Sequence, residues 1–145
     1  MKEYLYDVFI TYSGKDNDWI VKELLPCFDD NRVRYCIHNR DFELGKSIME
    51  NMAESVYKSR KVLAVISKNY VMSKFCRDEL EIALYRSVEQ GDSSVIVLKI
   101  DDIQHRKIPR SLRNKTYSDF SDPREKNTWR KRLIKEVKFP SEKSV

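Results

Sequence analysis

Residues 33–50 read Val-Arg-Tyr-Cys-Ile-His-Asn-Arg-Asp-Phe-Glu-Leu-Gly-Lys-Ser-Ile-Met-Glu, and they carry three signals of one structural unit. The apolar run 33–37 has the length of a strand, and the charged segment 40–45 follows it as a loop. Ser47 and Glu50 then have the spacing of a capping box, in which the serine hydroxyl accepts the backbone N–H three residues later. The stretch therefore predicts strand, loop and helix in succession, which is the order of a βα unit.

The same alternation continues on both sides of this unit. We predict strands over residues 6–11, 33–37, 62–66, 95–100 and 115–118, and helices over 18–28, 47–58, 74–87 and 125–137. The run 62–66 is apolar at every position, which is typical of a central parallel strand covered on both faces. We therefore predict an α/β fold: a flavodoxin-like, doubly wound sheet of five parallel strands with helices on both faces and right-handed crossovers.

Individual residues refine the helix predictions. Ser73 is predicted to cap the helix that starts at residue 74. Ile48, Met52 and Val56 recur at helical spacing and are predicted to share one face. Pro26 interrupts the pattern of the first helix and predicts a kink or a shortened last turn, because proline removes one backbone hydrogen bond. A separate aromatic signal comes late in the chain, where Trp129 is predicted to anchor the last helix on the sheet.

Length and composition limit the alternatives. The 145 residues match the usual size of one domain, which we place at 1–145 with an ordered core of about 4–138. Cys27, Cys36 and Cys76 are an odd number at irregular spacing, which predicts reduced thiols of a cytosolic protein rather than a disulfide framework or a zinc site. No apolar run reaches the roughly 18 residues of a membrane span, and the sequence leaves open a span outside this chain.

The net charge of +5 comes from a basic excess late in the chain, in residues 105–115 and 130–138. A solvated face is the first interpretation, and contact with an anionic membrane surface is the second. Nucleic acid ranks third, because aromatic residues are not interleaved with the basic ones as a stacking platform requires. We therefore predict no nucleic-acid partner.

Several catalytic and metal-binding motifs are excluded. The tripeptide Gly-Lys-Ser at 45–47 resembles the end of a phosphate-binding loop, but the first glycine of that motif would fall on Arg40. A phospho-receiver would need an aspartate after the third strand, where Ser67 stands. His38 and His105 have no companions at metal-ligand spacing, so we predict two surface histidines, no metal site and no cofactor.

The loop Arg40-Asp41-Phe42-Glu43-Leu44-Gly45 is predicted to bind a partner. It combines opposite charges with an exposed phenylalanine, an exposed leucine and a glycine, which is unusual for a simple connector. Loops that leave the carboxyl ends of parallel strands are where ligands bind in such sheets. The mixture is typical of a surface that meets another protein.

Glu79 has two interpretations. In the first, it joins Asp78 in complementing the positive end of the helix that starts at residue 74. In the second, its carboxylate faces a cleft and stabilises an oxocarbenium-like centre during glycosidic cleavage. Position and charge alone favour the first interpretation.

In combination, these motifs resemble the Toll/interleukin-1 receptor (TIR) domain family along essentially the whole chain. Residues 6–13 resemble its first box, the loop 40–45 its second box or BB loop, and residues 75–80 its W-C-x-x-E-L segment, while Trp129 stands at its third box. Within the family, the cytoplasmic tails of Toll-like receptors are the most similar. Leu44, Phe75 and Thr128 depart from the proline, tryptophan and phenylalanine of the family pattern.

The resemblance implies a non-enzymatic signalling scaffold of innate immunity, placed on the cytoplasmic side of a membrane as the intracellular domain of a single-pass receptor. Its partners would be other TIR domains, in copies of itself and in adaptors, with weak self-association when clustered. Two alternatives stay open: the TIR domain of an adaptor, and an NAD hydrolase that cleaves the nicotinamide–ribose bond with Glu79 as its catalytic residue. The residues that the resemblance assigns to partner binding are Arg40, Asp41, Phe42, Glu43, Leu44 and Gly45.

Overall fold

The sheet is the centre of the computed structural model, which describes residues 4–91 and 94–138. The strand order is β2-β1-β3-β4-β5, and each neighbouring pair is parallel. The predicted five-stranded parallel sheet is therefore confirmed. The strands are β1 (Tyr6–Thr11), β2 (Tyr35–Cys36), β3 (Ser59–Ile66), β4 (Val95–Lys99) and β5 (Ser118–Asp119).

The strand predictions differ from the structure mainly at their ends. β1 has the predicted bounds, and β3 lies at the centre, as its continuous apolar run indicated. β3 begins earlier than predicted because Ser59 pairs with Tyr6 of β1. β2 and β5 are the two edge strands and keep only short ladders, because each has a single neighbour to bond.

Helices cover both faces of the sheet. The helix predicted at 74–87 continues to residue 90, and the last helix starts at 129 rather than 125 because a separate 3₁₀ turn occupies Pro123–Glu125. The short helices α3 and α5 were not predicted. The α-helices of the described residues are α1 (Asn17–Trp19), α2 (Leu25–Asp30), α3 (His38–Asp41), α4 (Ile48–Lys58), α5 (Lys68–Met72), α6 (Lys74–Gln90) and α7 (Trp129–Lys138).

Pro26 produces a distinct irregularity between α1 and α2. A π-helical segment, Ile20–Leu24, joins the two helices without a break. At its end the Leu25 N–H bonds to the Ile20 carbonyl, which closes a wider turn than that of an α-helix. Because Pro26 has no N–H with which to continue the regular ladder, this wider turn absorbs the change that the sequence predicts as a kink.

Two apolar cores form because alternate residues of each strand face opposite sides of the sheet. On one side, Phe9, Val62 and Ala64 lie in a core with residues of α4, α5, α6 and the segment after β4. On the other side, the strands pack against the α1–α2 region and α7. Trp129 is 1% exposed in this second core, which confirms its prediction as the anchor of the last helix.

Serine caps fix the starts of two helices, as predicted. Ser47 accepts the Glu50 N–H at 3.0 Å where α4 begins. Ser73 accepts the Cys76 N–H at 3.2 Å where α6 begins. Each cap satisfies a backbone donor that has no partner within its own helix.

The predicted apolar face of α4 is only partly correct. Met52 and Val56 are fully buried, but Ile48 is 59% exposed. Residues 47–50 are all exposed, so the first turn of α4 faces solvent. The prediction that Ile48 shares a buried face with the other two residues is therefore wrong.

Candidate functional site

The segment after β2 begins with a helical turn rather than with a loop. α3 contains Arg40 and Asp41, the first two residues of the predicted partner-binding loop. The Arg40 guanidinium donates to the Asp41 carboxylate at 2.9 Å and lies 4.7 Å from the centre of the Tyr35 ring. Asp41 also accepts the Ile37 N–H at 2.9 Å. These two charges therefore satisfy each other and fix the exit from β2.

Phe42 is half-buried, and its prediction as an exposed aromatic is wrong. Its ring centre lies 6.4 Å from that of Phe9, 6.3 Å from that of Phe75 and 6.1 Å from that of His38. It packs against the core that α6 covers. Burial of this large apolar ring is more favourable than its exposure to water. Phe42 is thus the anchor of the loop rather than part of its outer surface.

A polar clamp from α4 holds the next part of the loop. The buried Asn51 side chain accepts the Glu43 N–H at 2.8 Å and donates to the Glu43 carbonyl at 3.0 Å. The Lys46 ammonium group bonds to the carboxylates of Glu54 at 2.8 Å and Glu43 at 3.0 Å. Because both backbone groups of Glu43 are bonded, the loop has one defined shape up to this point.

Beyond the clamp, three apolar side chains are exposed. Leu44 is 101% exposed, as predicted, while Ile48 is 59% and Met49 is 53% exposed. Gly45 lies between them with φ at +88°, a conformation that glycine adopts without steric cost. We call Leu44, Ile48 and Met49 the loop patch. Single exposed apolar residues are ordinary, but a group of them on a fixed loop is a candidate contact surface.

Glu79 lies at the carboxyl edge of the sheet and has no exposed surface. Thr11, the last residue of β1, donates its hydroxyl proton to Glu79 Oε1 at 2.7 Å and lies 3.0 Å from the Tyr70 hydroxyl. Glu79 Oε2 has no hydrogen-bond partner among the described residues. In this structure the side chain therefore faces neither solvent nor an open cleft.

The buried surroundings of Glu79 favour the neutral form of its carboxyl group. Burial raises the pKa of Glu79 to about 8, and the hydrogen bond from Thr11 offsets this only in part. A single donor cannot replace the water that an ionised carboxylate would lose. Burial also raises the pKa of Tyr70 well above its usual value and that of Cys76 to about 11, so these neighbours are uncharged as well.

His38 is half-buried, and its prediction as a surface histidine is wrong, whereas His105 is exposed as predicted. The His38 ring centre lies 5.0 Å from that of Tyr12 and 5.3 Å from that of Phe75. Burial lowers the pKa of His38, and its Nδ1 has no partner in the described part of the chain. Phe75 precedes Glu79 by one turn of α6, so this aromatic cluster connects the loop to the helix that carries the buried carboxyl.

Sequence reasoning missed the residues that hold the loop and two of the three residues of the loop patch. Asn51 is an ordinary polar residue of a predicted helix, and only the folded loop shows that it meets Glu43. Ile48 and Met49 could have been found from the capping box. Residues directly after an N-cap belong to the first helical turn, which here follows an exposed loop.

The described residues also bear on metals, thiols and membrane spans. Among them, no cluster of three or more His, Cys, Asp or Glu is arranged to hold a metal ion. Cys27, Cys36 and Cys76 are buried and carry free thiols. Within ranges 4–91 and 94–138, no helix combines the length and apolar character needed to cross a bilayer.

Comparisons with known proteins agree with this fold. A family model described as "TIR domain" matches residues 8–134. Human Toll-like receptor 1 is 35% identical over 129 residues, which cover 84% of this chain and 16% of the receptor. Toll-like receptor 6 of Bos taurus is 34% identical over the same length and the same shares. The chain thus spans about one sixth of these relatives, with 16% covered.

Solved structures show the same architecture. The TIR domain of a Toll-related receptor from Hydra magnipapillata superposes with a TM-score of 0.80 at 21% identity, covering 91% of this chain and 98% of that one. A TIR-STING receptor from C. gigas superposes with a TM-score of 0.78 at 18% identity, covering 97% of this chain and 41% of that one. At these identities the likeness concerns the fold alone.

Proposed function

The chain belongs to the TIR domain family, and from this premise we propose that it is the signalling module of a Toll-like or Toll-related receptor. In this proposal it lies on the cytoplasmic side of a membrane and binds other TIR domains, in copies of itself and in adaptor proteins. The similarity to Toll-like receptors over most of the chain supports a receptor rather than an adaptor.

The loop patch is the observation that carries the proposal. Leu44 has its whole side chain in water, although the adjacent Phe42 and Glu43 are fixed to the body of the domain. Burying one leucine in a partner would contribute about 1.5–3 kcal/mol. Because the loop already has its shape, little of this gain is lost to ordering the backbone on association.

A patch of only three apolar side chains fits a weak contact that forms when two domains are tethered. Interfaces below about 1,200 Å² are weak and transient. Two domains tethered by receptor dimerisation have an effective concentration of about millimolar, which populates such a contact without new chemistry. If the loop of one domain meets a different surface on the next, the contact is heterologous and extends into an open assembly.

The alternative function, cleavage of the nicotinamide–ribose bond of NAD, would require a different state of Glu79. A catalytic carboxylate must reach the substrate and carry negative charge toward the developing cation. Glu79 has no exposed surface, and burial raises its pKa to about 8. Substrate could reach it only after the residues that bury it had moved. This environment supports assembly rather than catalysis as the function.

A receptor chimera tests the proposal. Leu44→Asp in a TIR domain fused to a ligand-dimerised ectodomain should abolish signalling. It should leave the thermal midpoint of the isolated domain nearly unchanged, because surface substitutions usually change stability by less than about 0.5 kcal/mol. Val21→Asp is the matched control, because Val21 is 52% exposed and lies on a helix that covers the other face of the sheet.

Two results would contradict the proposal. Signalling by Leu44→Asp at the level of the control would show that the loop patch does not take part in assembly. Loss of the folded circular-dichroism spectrum in Leu44→Asp would show that Leu44 supports the fold.

A further inference from the structure

The connection between β4 and β5 is strongly and uniformly basic. Residues 103–116 contain five arginine and lysine residues and no acidic residue. We call residues 104–115 the basic segment. It crosses the surface in two short 3₁₀ turns, His105–Lys107 and Arg110–Leu112.

Apolar anchors fix the basic segment to the sheet. Ile103, Ile108 and Leu112 are 0–1% exposed and belong to the core that α4 and α6 also cover. Arg113 braces the turn by donating to the Ile108 carbonyl at 2.8 Å and to the Arg106 carbonyl. Because the apolar residues point inward, the polar residues between them face solvent on a surface of fixed shape.

The cations of this segment are not neutralised within the described residues. None of the basic residues at 106, 107, 110, 113 and 115 forms an ion pair there. Of the flanking acids, Asp102 pairs with Lys68 at 2.7 Å and Asp119 pairs with Lys99 at 3.4 Å. Asp101 accepts the backbone N–H groups of Lys68 and Ile103. The segment therefore presents a positive potential that an anionic partner would complete.

We propose that the basic segment is a binding surface for the anionic headgroups of a phospholipid membrane. Its other exposed residues are polar, namely Gln104, His105, Ser111 and Asn114, and none is a large apolar side chain or a phenylalanine, tyrosine or tryptophan. A protein interface needs buried apolar or aromatic anchors, and single-stranded nucleic acid needs stacking platforms. A bilayer surface needs charge alone, and clusters of four to eight lysines and arginines bind anionic lipid.

This inference goes beyond the proposed assembly function, because it concerns a different surface and a different partner. It adds an orientation. With the basic segment against the headgroups, one particular side of the domain faces the membrane. The loop patch belongs to α4 and the loop after β2, at the other end of the strand order from β4 and β5. It would therefore stay available to a neighbouring domain.

Vesicle co-sedimentation of the full 145-residue chain tests the inference. The probes are vesicles of phosphatidylcholine alone and of phosphatidylcholine mixed with phosphatidylserine. Two variants are compared with the unchanged protein, and in both the net charge falls from +5 to +1. The segment variant carries Arg106→Gln, Lys107→Gln, Arg110→Gln and Lys115→Gln. The control variant carries Lys22→Gln, Lys126→Gln, Lys131→Gln and Lys135→Gln at four exposed positions that form no ion pair within the described residues.

The unchanged protein should bind the vesicles that contain phosphatidylserine and not those of phosphatidylcholine. The partition coefficient of the segment variant should fall about tenfold or more, because each cation that faces the anionic surface contributes separately to binding. That of the control variant should fall less than about threefold, because its four lysines lie outside the basic segment. The double change Lys107→Gln with Arg110→Gln should give an intermediate loss. Thermal melts of each variant establish that the fold is intact, and Arg113 is left unchanged because it braces the turn.

Three outcomes would overturn the inference: equal losses in the segment and control variants, equal binding to both kinds of vesicle, or preference for single-stranded RNA over vesicles at the same salt. Leu44→Asp should bind vesicles like the unchanged protein. Failure of the membrane inference and failure of the assembly proposal are therefore separate results.

Discussion

Replacement of Glu79 by glutamine should make the stability of the protein less sensitive to pH between 4.5 and about 8. Glutamine has nearly the same shape, stays neutral and keeps an oxygen that can accept the 2.7 Å hydrogen bond from Thr11. It therefore removes the titration of the group while it preserves the packing. The new amide donors lie where Oε2 has no partner among the described residues, which adds a penalty that does not depend on pH.

The sign of the pH effect follows from the raised pKa. The folded protein keeps the Glu79 proton up to about pH 8, whereas the unfolded chain releases it near the ordinary value of 4.5. Between these values the free energy of unfolding falls by up to about 1.4 kcal/mol per pH unit. The stabilisation is complete below pH 4.5 and lost above about pH 8, a total on the order of 5 kcal/mol.

Chemical denaturation of both proteins from pH 4 to pH 9 measures this effect. His38 titrates in the same interval with the opposite sign, because burial lowers its pKa. The two proteins share this and every other titrating group, so their difference isolates Glu79. The free energy of unfolding of Glu79→Gln relative to the unchanged protein should rise with pH and level off above about pH 8. A difference that is flat across the interval would refute the reasoning, because it would show that Glu79 is ionised in the folded state.

Three further predictions concern the loop, the oligomeric state and catalysis. Asn51→Ala should lower the free energy of unfolding by about 1–3 kcal/mol, because it removes two hydrogen bonds to the Glu43 backbone, each worth about 0.5–1.5 kcal/mol; chemical denaturation measures this, and a change near zero would contradict the clamp. The isolated domain should sediment as a monomer at micromolar concentration, and a dimer that persists at nanomolar concentration would contradict the tethering argument. When clustered on liposomes or beads with NAD, the domain should release no nicotinamide above buffer, and turnover that disappears in Glu79→Ala would replace the scaffold with an enzyme.

The sheet could be predicted because its signals are local. The continuous apolar run of β3 and the serine caps at Ser47 and Ser73 each depend on a few neighbouring residues, and the structure confirms them. The ends of β2 and β5 were harder to predict from the sequence. Edge strands have one neighbour, so their length depends on a partner strand distant in sequence rather than on their own pattern.

The candidate site was only partly predictable, because its parts meet through tertiary contacts. Leu44 was correctly predicted to be exposed. Phe42, two residues earlier, was not distinguishable from it by sequence, since only the proximity of Phe9 and Phe75 determines that it turns inward. The environment of Glu79 has the same origin, because its hydrogen-bond partner Thr11 is 68 residues away in sequence.

The Asn51 clamp has a consequence for how such domains diverge over evolutionary time. It grips the loop through the backbone N–H and carbonyl of Glu43, groups that every residue except proline possesses. The side chains at 44, 48 and 49 contribute little to folding, so they can change one at a time with little loss of stability. A gene duplicate could therefore acquire a new partner by single substitutions at the tip, while the clamp and the Phe42 anchor pass on the same loop shape.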